Sequence, residues 1–186
     1  MIRKMFAVVT GAQGGIGCAI VHRLLSDGFF VIAIDRTDRG IFSGNKSVTN
    51  LSCDISDEES VRTTFSTISE KCDWLDVLVN LAGINHKSSI ENMQTSKWDH
   101  LFSTNVGGMF LTVKYALPMM KARKNASIIN FSSIAGHVAS KDYPAYVTSK
   151  AAVESFTIGL SKEMLKYGIR VNAVAPGAIL LPSDGS

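Results

Sequence analysis

Two hydrophobic patterns alternate along the chain. Short runs rich in β-branched and aromatic residues occupy positions 6–10, 30–35, 47–53, 77–80, 126–131 and 170–175, and each predicts a strand. Runs 6–10, 30–35, 77–80 and 126–131 have little polar alternation, as strands covered on both faces do. Between the runs, stretches 15–26, 57–71, 97–120 and 144–167 carry apolar residues at helical spacing. The last is the best marked. Pro144 suits a first helical turn, Ala152, Phe156, Leu160 and Met164 recur every four residues, and Gly168 can end the helix. Ser96 with Asp99 three residues on predicts a weak capping box for the third helix. Residues 35–47 are rich in Gly, Asp, Asn and Ser and predict a loop. The alternation of strand and helix predicts one domain over 1–186, an α/β fold with a six-stranded, doubly wound parallel sheet and right-handed crossovers.

Composition narrows the function classes. Hydrophobic residues make up 46% and charged residues 19%, which is ordinary for a globular chain. Nineteen Lys and Arg against sixteen Asp and Glu leave a net charge of +3, and no basic block interleaves with aromatics. Nucleic-acid and polybasic membrane partners are therefore not expected. The longest apolar run, 29–34, is far short of a membrane span, and the stretch after Met1 is too short for a signal h-region. Cys18, Cys53 and Cys72 form neither a disulfide framework nor a metal-ligand spacing, so no metal is expected. The expectation is a protein of the reducing cytoplasm.

Candidate chemistry begins where the first strand ends. Residues 10–17 read Thr-Gly-Ala-Gln-Gly-Gly-Ile-Gly and lead directly into a helix. A phosphate approaching a helix N-terminus needs backbone N–H groups unobstructed by Cβ atoms, and Gly11, Gly15 and Gly17 supply them. The spacing is neither G-x-G-x-x-G nor a P-loop, and a tight structural turn would read the same way. Its position after the first strand favours a dinucleotide site of the Rossmann type. Asp35 ends the second strand 18 residues after Gly17, where a carboxylate can accept from adenosine ribose hydroxyls. It would also serve as a turn-initiating Asp. Arg36 beside it offers a guanidinium to a 2′-phosphate.

Tyr146 and Lys150 lie four apart in the first turns of the best-marked helix and so share one face. A phenol with an ordinary pKa of about 10 is a poor base near neutrality, and a neighbouring ammonium favours the phenolate. Such a pair suits proton transfer to or from an alcohol oxygen. Ser133 follows the fifth strand, at the carboxyl edge of the sheet, where its hydroxyl can hold a substrate oxygen.

With these residues in place, the chain from Val8 to about Ile179 resembles the short-chain dehydrogenase/reductase family. Residues 10–17 match the family's T-G-x-x-x-G-x-G loop, and Asp54 with Ile55 matches its adenine-contacting segment. Asn80-Leu81-Ala82-Gly83 resembles N-N-A-G, with Leu81 in place of the second Asn. Thr104-Asn105-Val106 carries the helix asparagine. Ser133 lies 13 residues before Tyr146, which with Lys150 completes Y-x-x-x-K, and Arg170-Val171-Asn172 leads to Pro176-Gly177. The resemblance implies that Tyr146 is the acid/base, that Lys150 tunes it and binds nicotinamide ribose, and that Ser133 orients the carbonyl or hydroxyl. Asn105 would support a water-linked proton path to Lys150, or brace a kink near Gly107-Gly108 as a buried, satisfied amide.

The cofactor residues so implied are Gly11, Gln13, Gly14, Gly15, Ile16, Gly17, Asp35, Arg36, Asp54, Ile55, Asn80, Ala82, Gly83, Tyr146, Lys150, Pro176, Gly177 and Ile179. Asp35 makes NAD the expected cofactor and NADP the lesser candidate. Substrate contacts are expected from Ser133, with His137, Tyr143 and His86 as further candidates. The activity implied is hydride exchange between NAD(H) and a small secondary alcohol or ketone, in a homo-oligomer (dimer or tetramer). The alternative is a catalytically silent binding or regulatory protein on the same scaffold. Family members commonly continue past Pro176-Gly177 with a lid, a helix and a seventh strand. Residues 180–182 look like the start of that lid, so the chain is expected to be C-terminally incomplete.

Overall fold

Six strands pair in parallel in the computed structural model, which describes residues 4–123, 125–138 and 141–179. They are β1 (Met5–Thr10), β2 (Phe29–Asp35), β3 (Val48–Ser52), β4 (Val77–Asn80), β5 (Ser127–Phe131) and β6 (Arg170–Val174). The sheet order is β3-β2-β1-β4-β5-β6, the doubly wound α/β arrangement expected from the sequence. The order in which strands are laid down changes sides at β1, which pairs in parallel with β2 on one side and β4 on the other. A crevice therefore opens beyond the carboxyl ends of β1 and β4.

Register explains both faces. Ile32, Val8, Leu78, Ile128 and Val171 stand side by side across five strands and belong to one core cluster. Against this row pack α2 (Glu58–Ser69), α4 (Met109–Lys121) and α5 (Pro144–Met164). One residue further, Ala33, Val9, Val79 and Ile129 face the opposite way, toward α1 (Gly15–Ser26). The next row is polar. Thr10, Asn80 and Asn130 are adjacent and buried, and the Asn80 amide donates to Asn130 at 2.9 Å while accepting from Thr112 at 2.7 Å. The Asn130 amide in turn donates to Thr157 of α5 at 2.9 Å. Buried amides left unpaired are costly, so this row fixes α4 and α5 against the carboxyl half of the sheet.

Helix ends follow local chemistry. Asp57 caps α2, accepting from Glu59 N at 3.2 Å and Ser60 N at 3.3 Å. Gly168 closes the end of α5 and its trailing 3₁₀ turn with φ +68°. The continuous helix expected over 97–120 is instead three segments. Helix α3 (Thr95–Phe102) passes into a π-helical turn at Ser103–Gly108 and then into α4. The wider turn brings Asn105 inward, where a regular helix would carry it around the axis differently. The capping box expected from Ser96 and Asp99 does not form, because the helix starts two residues earlier, at Thr95, and Gln94 makes no side-chain cap. Residues 180–182, expected to begin a lid, lie outside the described residues.

Candidate functional site

The glycine loop turns on two close approaches. Gly11 has φ +67°, and a Cβ there would stand 2.9 Å from the Ala82 backbone. A Cβ on Gly17 would come within 2.1 Å of the Gly11 carbonyl oxygen. The loop can therefore fold back tightly enough to lay the start of α1 against a cavity of about 390 Å³. The first intrahelical bond is from Cys18 N to Gly14 O, so the N–H groups of Gly15, Ile16 and Gly17 precede it and are free to donate. No acidic side chain occupies that first turn. Free donors, the positive end of a helix and bare glycine backbone together suit a phosphate.

Asp35 stands on the same cavity. Its carboxylate accepts from Gln13 N at 3.0 Å and from Arg36 N at 2.8 Å. Gln13 is buried and ties the segment after β2 to the glycine loop: its amide donates to Asp38 at 2.8 Å and accepts from Arg39 N at 2.6 Å. On the far wall, Asp54 accepts from the Ser56 hydroxyl at 2.6 Å and the Ser56 N–H at 2.9 Å, and these bonds hold its carboxyl below the ordinary aspartate value. Ile55, Ala82 and Gly83 complete the predicted set on this wall.

A second cavity of about 530 Å³ shares Ile16, Leu81, Gly83 and Ile84 with the first. Ser133, Tyr146 and Lys150 line it, as do Pro176, Gly177 and Ile179. Ser133 opens a 3₁₀ turn and its oxygen accepts from Ala135 N at 3.2 Å, which leaves the hydroxyl proton free to donate into the cavity. Lys150 is only 6% exposed. Burial pulls its pKa down from 10.5 to about 8, and its ammonium donates to the Phe131 carbonyl at 2.8 Å. It also lies 5.7 Å from the centre of the Tyr146 ring.

Asn105 stands behind this wall. Its amide oxygen accepts from Ile84 N at 2.8 Å, and its nitrogen donates to Ile84 O at 2.9 Å and Ser149 Oγ at 3.1 Å. It thus staples the segment after β4 to α5. A Cβ on Gly83 would lie 3.1 Å from the Asn105 oxygen and 3.5 Å from the Lys150 nitrogen, so Gly83 keeps this corner open.

Other predicted residues stand apart from the cavity walls. The side chains of Gln13 and Asn80 are bonded within the fold, as described above. His137 lies against Glu154, with Nε2 2.9 Å from the carboxylate, and is not part of the Ser133 cavity lining. Tyr143 is the residue before α5 and His86 sits half-buried in the segment after β4, neither lining that cavity. Sequence reasoning missed Arg39, His100 and Thr104 on the first cavity. Arg39 had a signal, since a second guanidinium three residues after Arg36 shares its loop. His100 and Thr104 had none, because a His in α3 and a Thr in the π turn follow no local pattern that marks a cavity wall.

The whole arrangement has close counterparts. The family model for short chain dehydrogenases matches residues 5–184. An uncharacterized oxidoreductase of Staphylococcus saprophyticus is 34% identical over 99% of this chain and 82% of its own. Among solved structures, a ligand-free aldohexose dehydrogenase of Thermoplasma acidophilum aligns at a TM-score of 0.89 with 33% identity, covering 97% of this chain and 69% of that one. A short chain dehydrogenase of Leptospira borgpetersenii with bound NAD+ aligns at 0.90 with 26% identity, over 97% and 73%. Among the described residues no helix is long and apolar enough to cross a membrane. Sequence, fold and site agree, and the chain belongs to the short chain dehydrogenase family of oxidoreductases.

Proposed function

We propose that this chain exchanges hydride between NAD(H) and a small secondary alcohol or its ketone, with Tyr146 moving the proton. The observation that carries this reading is the continuity of the two cavities, with free helix N–H groups at one end and Ser133, Tyr146 and Lys150 at the other. The nicotinamide supplies the hydride acceptor or donor. The protein supplies position, a hydrogen bond and a proton. Ser133 donates its hydroxyl proton to the carbonyl oxygen as negative charge develops there. Tyr146 delivers its phenolic proton to the same oxygen in reduction and takes it back in oxidation. A positive Lys150 stabilises the phenolate left behind, and Asn105 holds the segment at Ile84 and the helix carrying both residues in register.

The reading favours NAD(H) over NADP(H). The Asp35 carboxylate, held by two backbone N–H groups, stands where a 2′-phosphate would meet like charge. Arg36 and Arg39 on the same wall oppose that effect, so the preference should be modest, about tenfold. Fluorescence titration with NADH and NADPH at fixed salt tests it, together with a panel of secondary alcohols and ketones. Tighter NADPH binding would reverse the cofactor assignment, and Asp35→Ala should narrow the gap.

A further inference from the structure

Ser133 is held by its neighbours rather than by its own side chain. After β5, Ser132 N bonds to Val174 O at 2.8 Å and Ile134 N to Pro176 O at 3.0 Å, which attaches the turn to the β6 side. Its side-chain contacts with α5 come from Ser132 and His137, and one carboxylate faces both. Glu154 lies one helical turn beyond Lys150, and its Oε1 accepts from Ser132 Oγ at 2.6 Å and faces His137 Nε2 at 2.9 Å. These two donors bracket Ser133, one residue before it and four after. Ser132 is 4% exposed and the Glu154 side chain 22%, so the bond between them is a shielded, charge-assisted one. The His137 arm is 61% exposed and screened, so it closes the turn rather than dominating its energy.

We propose that Glu154 is a positioning residue for the reaction: its carboxylate clamps the turn from Ser132 to His137 onto α5 and so sets Ser133 against Tyr146 on the same helix. The inference rests on the reading of Ser133 as donor to the substrate oxygen. It also gives His137 a place in the site, as the outer arm of the clamp. Without the carboxylate, Ser132 Oγ retains the Lys150 carbonyl at 3.0 Å, a neutral acceptor within the helix, and His137 has no anchor on α5. The 3₁₀ turn would then be held to α5 by that neutral bond, beside its bonds to the β6 side and its own short bonds, Ala135 N to Ser133 Oγ and Gly136 N to Ser133 O. A looser turn misplaces a hydroxyl whose value lies in orientation.

The test compares Glu154→Ala and Glu154→Gln in the ligand-free protein and in turnover with NADH and ethyl acetoacetate. In the Ala variant, amide exchange at Ala135 and Gly136 should rise by about tenfold while Val153 and Thr157 on α5 keep their protection. NADH affinity should stay within about twofold, and kcat should fall by about tenfold with KM little changed, the signature of an interaction made in the transition state. Gln retains an acceptor for Ser132 and should restore both exchange and kcat to within about threefold. Unchanged exchange at Ala135 and Gly136 in the Ala variant overturns the proposal whether or not this ketone is turned over. Loosened exchange with full kcat overturns it too, provided that Ser133→Ala is impaired. A fully active Ser133→Ala variant would instead sink the reading of Ser133 itself.

Discussion

Lys150 is the residue whose burial and charge are most at odds. At 6% exposure its ammonium is disfavoured in the folded protein, and the pKa falls from 10.5 to about 8. A folded-state pKa below the unfolded one makes the charged form a cost. That cost is complete below about pH 8, shrinks as pH rises, and is gone above 10.5. Lys150→Met keeps the apolar stem and removes the charge. The variant should be more stable than wild type at pH 7, by an amount on the order of a few kcal/mol, and its advantage should disappear between pH 8 and 10.5. Thermal melts of the cofactor-free pair across that range check it, and a pH-independent difference would contradict it. A buried cation on the wall of the cavity that holds Tyr146 is what the proposed role of Lys150 requires.

At the scale of elements, the π turn at Ser103–Gly108 decides how the segment after β4 meets α5. Asn105 satisfies both backbone groups of Ile84, so Asn105→Ala leaves a part-buried N–H and C=O without their partner. The expected loss is about 2 kcal/mol, a fall in Tm of about 4–8 °C for a chain of this size. An unchanged melting curve would show that water replaces the amide. The strands, the glycine loop and the Tyr146–Lys150 pair were all legible in the sequence, because each depends on local spacing: apolar runs, glycines before a helix, and i,i+4 geometry. The π turn was not. The residue it inserts falls within Ser103–Gly108, a stretch with Val106 as its one large apolar residue and so little apolar pattern to shift, and Gly107-Gly108 reads equally well as a kink. Glu154 was equally hidden, since a carboxylate four residues after Lys150 looks like a solvated helix position. The approach of Ser132 and His137 from the turn after β5 gives it its partners.

Across the whole molecule, the sheet places the two cavities over β1 and β4 and leaves β6 paired on one side among the described residues. Val171 is its sole buried position, and Val174 is 43% exposed. A strand edge with unpaired backbone and apolar side chains is a pairing template. This 186-residue chain should associate through it, and light scattering on a sizing column should report a species larger than a monomer. Ala173→Lys, on the exposed edge, should shift the species toward monomer, and a wild-type monomer at tens of micromolar would contradict the edge argument.

The central claim is that Tyr146 moves the proton while the rest of the crevice holds the cofactor. Tyr146→Phe keeps the ring and removes only the transferable proton, so the most direct measurement is its kcat for ketone reduction beside its NADH dissociation constant. The expected result is a kcat lower by about 10² or more with NADH binding essentially unaltered. Near-normal turnover by the Phe variant on a ketone that the wild type reduces would contradict the claim.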